Sequence, residues 1–106
     1  MLIRTVRMTF RPDAVEDFLA MFDGVAPQIR AVRGCRYLEL WRDARFPNIL
    51  TTYSHWESAD ALDAYRQSDL FRSTWATTKQ WFAAPTVAHS QHVQAEPIEP
   101  AATAPA

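Results

Sequence analysis

The first ten residues alternate between two kinds of side chain, and this alternation constrains the fold more than any other feature of the chain. A period of two along the backbone is typical of a strand with one buried face. The apolar side chains lie at even-numbered positions, namely Leu2, Val6, Met8 and Phe10. The polar ones lie at odd-numbered positions, namely Thr5, Arg7 and Thr9. The two sets are called the apolar parity and the polar parity. The first segment of the chain is therefore predicted to be a strand with one apolar face.

A helical spacing follows this strand. Its apolar positions are Val15, Phe18, Leu19, Phe22, Val25, Ala26 and Ile29. They predict a long amphipathic helix over about residues 13–32, and Pro12-Asp13 with Glu16 resembles a capped helix start. Because Pro27 removes one backbone donor, we expect a kink or a short break near Gly24 and Pro27.

The rest of the chain reads as two strands, two short helices and a last strand. Residues 35–42 and 49–56 have strand character, and the short connection between them predicts antiparallel pairing. Ser58 and Ser68 are predicted to begin the helices because serine is a preferred N-cap residue. Residues 86–94 alternate weakly and complete a domain over residues 1–94. Residues 95–106 are rich in Pro and Ala, with too few large apolar groups to offset the entropy of ordering, and are predicted to form a disordered tail.

This order of elements predicts an α+β protein with a ferredoxin-like βαββαβ arrangement and an antiparallel sheet. The helices can cover only one face of that sheet. The opposite face would carry Thr5, Arg7, Thr9 and several of Tyr37, Glu39, Trp41, Tyr53 and His55. Such a face is too aromatic to be left in water, and a second copy of the sheet is the simplest cover. The sequence therefore predicts a homodimer.

Length and composition exclude several classes of protein. A chain of 106 residues with a net charge of -1 is one domain without the basic field that nucleic acid requires. No apolar run approaches the roughly 20 residues of a membrane helix, and no secretory signal is recognisable, so a cytoplasmic protein without membrane contact is expected. Cys35 is the single cysteine, which excludes an internal disulfide. Four Trp in a small chain indicate a binding cavity or a large self-association surface.

Several short motifs resemble one known family. They are 29–31, 34–40, Asp43, Pro47-Asn48, 53–58, Ala61-Leu62, 65–68 and Leu70-Phe71, with the Trp56-Glu57-Ser58 step the most recognisable. Over about residues 2–94 the pattern resembles the antibiotic biosynthesis monooxygenase (ABM) domain family. The resemblance implies a dimeric α+β barrel. It also implies, as in characterised members, an oxygenase that uses neither metal nor flavin and acts on a polycyclic aromatic or a quinol.

Such a reaction needs a group that handles the proton or the oxyanion of the substrate, and an aromatic cage that excludes water. Arg4 shares the apolar parity of the first strand, so its guanidinium should point toward the helices and bind a substrate oxygen. The alternative is that Arg4 reaches solvent or pairs with Glu39 or Glu57. Tyr65 is the second catalytic candidate because a buried phenol requires a polar partner.

Four further residues are predicted to bind the substrate: Val6, Trp56, Phe71 and Trp75. Ordinary core packing is the alternative for the aromatic ones. His55 could act as a base, but strand parity places it on the opposite face. His89 and His92 have opposite parity, so one strand cannot direct both to one metal. No metal is therefore predicted. No cofactor is predicted either, since a chain with only two glycines has no Gly-rich loop for a nucleotide or a flavin.

Two other functions stay open at this point. One is a non-catalytic dimer that binds a hydrophobic ligand, which the lack of an obvious base favours. The other is haem binding or degradation. Haem-degrading relatives carry an Asn in the first strand, a Trp in the following helix and a His beyond it. This chain has Val6, Tyr65 and Trp75 at those positions, so the haem function is the least favoured.

Overall fold

A four-stranded antiparallel sheet organises the protein, with strands in the order β2-β3-β1-β4. The computed structural model describes residues 1–102. The strands are β1 (Leu2–Thr9), β2 (Cys35–Arg42), β3 (Ile49–Trp56) and β4 (Val87–His92). The helices are α1 (Val15–Arg30), α2 (Ala59–Arg66) and α3 (Asp69–Lys79). The predicted α+β ferredoxin-like fold is confirmed, and β2 and β3 have the predicted bounds.

The helix α1 departs from its prediction at both places where the sequence suggested a local feature. A 3-10 turn over Pro12–Ala14 precedes it, and no side chain caps its start. The predicted capping is therefore wrong: Asp13 lies within that turn and pairs with Arg11 instead, at 3.6 Å. The predicted break is also wrong, because α1 runs without interruption through Pro27 to Arg30. Pro27 lies in the last turn, where the loss of one backbone donor affects a single hydrogen bond.

The two shorter helices begin as predicted. The Ser58 Oγ accepts a hydrogen bond from the Ala61 backbone N–H at 3.1 Å, and the Ser68 Oγ accepts one from the Phe71 N–H at 3.2 Å. Each bond satisfies a donor that the first turn of a helix leaves free. The serines thereby fix where α2 and α3 start.

Gly34 allows α2 to lie directly against the turn that follows α1. Its φ is 89°, in the left-handed region that favours glycine, and a Cβ there would meet the Ala61 Cβ at 2.5 Å. Immediately afterwards the β2–β3 register shifts between Cys35 and Tyr37. This irregularity lets Cys35 be buried while Tyr37 points to the other face of the sheet.

The two faces of the sheet differ in what covers them. Residues of even number on β1 and β3 lie on the face that α1, α2 and α3 pack against, here called the covered face. Two clusters of buried residues form there: Met8, Phe10, Val15, Phe18 and Leu50, and Leu2, Cys35, Trp56 and Leu62. The other face, the open face, has no helix on it within residues 1–102.

Aromatic side chains are grouped on the open face, as the alternation predicts. The ring of Tyr53 lies 4.6 Å from that of Trp41 and 5.0 Å from that of His55, and Tyr37 lies beside both Tyr53 and His55. The Glu39 carboxylate accepts hydrogen bonds from the Tyr37 hydroxyl and from Trp41 Nε1. These hydrogen bonds lower the pKa of Glu39, and the one from Tyr37 has the largest effect.

The chain beyond β4 has no helix or strand up to residue 102, and residues 93–102 are exposed. Ala95, Glu96 and Pro97 border a shallow depression next to Tyr53 and His55 on the open face. Disorder of residues 95–106 stays a prediction, and its last part, 103–106, lies outside the described residues. No helix within residues 1–102 is both long and apolar enough to cross a membrane.

Candidate functional site

A cavity of about 290 Å³ lies between the covered face and the three helices. This volume is close to the lower end of the range of roughly 300–1,000 Å³ that is usual for small-molecule sites. Members of both buried clusters border it. All six predicted site residues line it as well: Arg4, Val6, Trp56, Tyr65, Phe71 and Trp75.

Arg4 reaches the cavity from the central strand β1. Its backbone is paired with Ser54 on one side and Ser90 on the other, and its Nη1 donates a hydrogen bond to the Ser90 Oγ at 3.1 Å. The pairing with an acid that the sequence left open does not occur, because Glu57 pairs with Arg36 and Glu39 lies on the open face. Burial lowers the pKa of Arg4, and the nearby positive charge of Arg66 lowers it further.

Tyr65 presents a neutral phenol to the same cavity. Its ring stacks on that of Trp56, with centroids 5.0 Å apart, and meets the edge of Phe71 at 5.3 Å. Burial raises the pKa of Tyr65 to about 12, and proximity to Cys35 contributes in the same direction. The hydroxyl therefore stays protonated at neutral pH and can donate a hydrogen bond, whereas it cannot serve as an ordinary base.

Trp56 forms both core and cavity wall. It is 1% exposed, and its Nε1 donates to the Ser54 Oγ at 2.9 Å. Because that N–H is already satisfied, Trp56 can offer a ligand only its ring. The tryptophan also anchors α2 through its stack on Tyr65, so it packs in the core and lines the cavity at once, and substrate binding by its ring stays a prediction.

The helix α3 contributes a second aromatic wall. The rings of Phe71 and Trp75 are 6.0 Å apart and nearly parallel, with an interplanar angle of 8°. Trp75 also meets Phe82 edge-on at 5.5 Å, so a second ring helps to hold it in place. Val6 on β1 completes the apolar lining across from these rings. Flat aromatic surfaces of this kind suit a flat aromatic ligand.

Several polar residues of the cavity were missed in the sequence, and Thr74 and Arg66 are two of them. The Thr74 Oγ1 is buried and has no hydrogen-bond partner within residues 1–102, although Thr74 lines the cavity. Arg66, at the end of α2, lines it as well. A signal was present in each case: Thr74 lies three residues after Phe71, and Arg66 lies four residues after Leu62, each on a helix face that the apolar residues direct inward.

The titratable groups that line the cavity are few. They are the guanidinium groups of Arg4 and Arg66 and the phenol of Tyr65, and no carboxyl, imidazole or thiol group lines it among residues 1–102. His55 lies on the open face, as its parity predicts, against Tyr37 and Tyr53. Cys35 is buried, and burial raises the pKa of its thiol. It is a packed side chain, as expected.

Metal ligands are not gathered in the part of the chain that the structure describes. Among residues 1–102, no three His, Cys, Asp or Glu side chains come together as a metal site would require.

Comparison with solved structures places the fold among known ones. An antibiotic biosynthesis monooxygenase superposes with a TM-score of 0.83 at 16% identity, covering 88% of this chain and 98% of that one. A conserved protein from Methanosarcina mazei Go1 gives 0.80 at 21% identity, with 86% and 91% covered. Rv0793 from Mycobacterium tuberculosis gives 0.78 at 25% identity, with 95% and 98% covered.

Comparison of the sequence itself gives two results. No curated protein matches the chain. The family described as antibiotic biosynthesis monooxygenase matches residues 1–77, which contain β1 to β3, the helices α1 and α2 and most of α3. This match covers more than half of the chain and every predicted site residue. The chain belongs to the antibiotic biosynthesis monooxygenase family.

Proposed function

We propose that the protein is a monooxygenase that oxidises an aromatic phenol or quinol in this cavity without a cofactor. One observation carries the proposal: an aromatic-walled cavity contains the guanidinium of Arg4, whose side chain bonds only to the neutral Ser90 hydroxyl within residues 1–102, and the neutral phenol of Tyr65. Membership of the family supports a monooxygenase or a small-molecule-binding role in general terms. The substrate class comes from the chemistry of the lining.

The reaction needs no external electron source if the substrate supplies all the electrons. A phenol and one O₂ give a quinone and one water: one oxygen atom enters the ring, the other leaves as water, and two hydrogens are lost from the substrate. The anion of the phenol is the species that reduces oxygen, so the site must stabilise negative charge on the substrate oxygen. Arg4 is the residue that would do so.

Tyr65 would act as a hydrogen-bond donor. With a pKa of about 12 it keeps its proton at neutral pH, and it can donate to an oxygen of the substrate or of the reduced dioxygen. The walls formed by Val6, Trp56, Phe71 and Trp75 would hold the ring flat and keep water away from the intermediate. Each of these roles is specific enough to be tested by one substitution.

A non-catalytic binding protein is the second candidate. The cavity lining has no carboxyl or imidazole group among residues 1–102, so no side chain of ordinary basicity is available to take a proton. This observation favours storage or transport of a hydrophobic ligand over turnover. Haem has less support, since the same lining offers no imidazole as an axial ligand.

Oxygen consumption separates these functions. Purified protein treated with chelator is mixed with a panel of hydroquinones and anthrone-like phenols, and O₂ uptake and quinone formation are measured together. We expect one O₂ consumed per quinone formed, and a loss of at least about tenfold in Arg4→Met and in Tyr65→Phe, because each removes a hydrogen bond to developing charge. Tyr37→Phe, on the open face, is the matched control for Tyr65.

The outcomes are distinct. Ligand binding without oxygen uptake across the panel would reject the oxygenase and favour the binding protein. Uptake that the chelator abolishes would reject chemistry without a metal. A Soret band that appears on haem titration and is lost in a cavity variant would favour the third function.

A further inference from the structure

Two positive charges meet at one cavity without a matching negative charge in its wall. Arg4 lines the interior from β1, and Arg66 lines the same cavity from the end of α2. Among residues 1–102 the ion pairs are Arg11–Asp13, Arg36–Glu57 and Arg72–Asp69, so neither guanidinium of the cavity takes part in one. The only hydrogen bond that the Arg4 side chain makes there goes to a neutral hydroxyl, that of Ser90.

The two arginines differ in burial, since Arg4 is half-buried and Arg66 is exposed. A guanidinium that is partly buried requires an anionic or carbonyl partner to offset the loss of hydration. The neighbouring carboxylate of Asp63 lies close enough to raise the pKa of Arg4, but burial and the like charge of Arg66 outweigh it, and the pKa of Arg4 is lowered. An anion that enters the cavity would remove this imbalance.

Two hydroxyl groups in the cavity wall also lack a hydrogen-bond partner within residues 1–102. The Thr74 Oγ1 is buried without a partner, and the Tyr65 hydroxyl makes no hydrogen bond within residues 1–102. Both residues line the cavity that Arg4 and Arg66 share. Hydroxyl groups can donate to an anion as readily as they accept from a donor. The remaining lining is largely aromatic and aliphatic, so the ligand must combine a flat apolar body with a charged edge.

We propose that the cavity selects aromatic oxyanions, such as aryl carboxylates and phenolates, and that Arg4 and Arg66 hold the charged oxygen atoms. The inference rests on the proposed function in that it takes this cavity as the substrate site. It goes further in stating that the ligand arrives already deprotonated. No lining group in residues 1–102 has the basicity to accept its proton, so selection falls on the charged form in solution.

Two ligands of nearly the same shape, one anionic and one neutral, test the inference by calorimetric titration at pH 7. The acid is 1-hydroxy-2-naphthoate and its neutral counterpart is 1-hydroxy-2-naphthamide. We expect the acid to bind at least about tenfold more tightly, because hydrogen bonds to charged groups are roughly twice as strong as neutral ones. In Arg4→Met the two ligands should bind alike, and in Arg66→Met the preference should fall by a smaller factor.

Arg72→Met is the matched control. It removes the same charge from α3, but Arg72 is 67% exposed in its side chain, pairs with Asp69 and does not line the cavity. Its preference for the acid should equal that of the wild type. If Arg4→Met does not fold, the salt dependence of the wild type replaces it: rising ionic strength should weaken binding of the acid and leave the amide unchanged.

Each outcome gives a decision. Equal affinity for acid and amide, or a preference that survives in Arg4→Met, overturns the anion inference and leaves the cavity as a binding site. Failure of both ligands to bind overturns the anion inference together with the proposed use of the cavity. Preference for the acid without oxygen uptake supports the anion inference while rejecting the oxygenase.

Discussion

The two faces of the sheet are both aromatic, yet only one of them is a core. On the covered face Phe10 and Trp56 are 0% and 1% exposed, whereas on the open face Tyr37 and Trp41 are 41% and 43% exposed. Both pairs belong to the same sheet region: Phe10 directly follows β1 and Trp56 ends β3, while Tyr37 and Trp41 lie on β2. The difference lies entirely in what packs against each face. An aromatic strand face therefore predicts that a cover is needed, and only the rest of the fold tells whether the chain itself supplies it.

We propose that a second copy of the chain covers the open face. The cluster of Tyr37, Trp41, Tyr53 and His55 is continuous across β2 and β3, and the His55 Nε2 is buried there without a partner among residues 1–102. Tyrosine and tryptophan are enriched at interfaces because each combines a large apolar ring with a polar group. Four predictions test the contrast between the faces.

The covered face should carry most of the stability of the fold. Phe10→Ala removes a fully buried ring that lies against Phe18 and Phe82, and we expect a loss of about 3–5 kcal/mol in the free energy of unfolding, measured with urea. Phe46→Ala is the control, because Phe46 is 50% exposed in the β2–β3 loop and should change stability by less than about 0.5 kcal/mol. Equal losses would show that the two regions do not differ as described.

The open face should carry assembly instead. Trp41→Arg places a charge at the exposed edge of the aromatic cluster, and we expect it to weaken self-association by about 2–4 kcal/mol, as at interface hot spots. Sedimentation equilibrium measures the change as a shift from dimer to monomer. Phe46→Arg, which adds the same charge outside the sheet, should remain dimeric. A wild-type protein that is monomeric at every concentration would refute the proposal.

Tyr65 should make stability fall at high pH. The phenol has a pKa of about 12 in the folded protein against 10 ordinarily, so folding favours its protonated form. Its contribution is complete below pH 10 and is lost as the pH rises from 10 to 12, amounting to about 3 kcal/mol. Cys35 acts in the same direction, so the difference between the wild type and Tyr65→Phe isolates the phenol. Parallel stability curves for the two proteins would contradict the assignment.

Thr74 should be dispensable for folding. Thr74→Val removes a hydroxyl that has no partner within residues 1–102, and we expect stability to stay constant or to rise by up to about 1 kcal/mol. Thr78→Val, one turn later, removes a hydroxyl that donates to the Thr74 carbonyl oxygen at 2.7 Å and should lose about 1 kcal/mol. Thermal unfolding of both variants measures the difference. A clear loss in Thr74→Val would mean that its hydroxyl has a structural role.

The sequence was sufficient wherever local chemistry decides the outcome. Alternation placed β2 and β3 within their observed bounds, and Ser58 and Ser68 marked the starts of α2 and α3 through their side-chain hydrogen bonds. Parity also placed Arg4 on the covered face, where it lines the cavity. These predictions succeed because each depends on neighbours a few residues away.

Predictions failed where distant packing decides. The helix α1 continues through Pro27 to Arg30, and Ile29 in that last turn is buried against the rest of the protein. The isolation of the Thr74 hydroxyl and the position of Arg66 at the cavity depend on how α2 and α3 sit on the sheet. Whether a polar side chain finds a partner is settled by residues far away in the chain, and spacing along one helix does not contain that information.

The register of β1 has a consequence for how the gene can vary. Arg4 is aligned with Ser54 and Ser90 in a row across the covered face, and the next row, Thr5 with Tyr53 and His89, belongs to the open face. Insertion of a single codon early in β1 would exchange the rows, turning Arg4 outward and an open-face residue into the cavity. Length variation among natural relatives should therefore be absent from β1 and concentrated in the 43–48 loop, where a codon more or less leaves both faces intact.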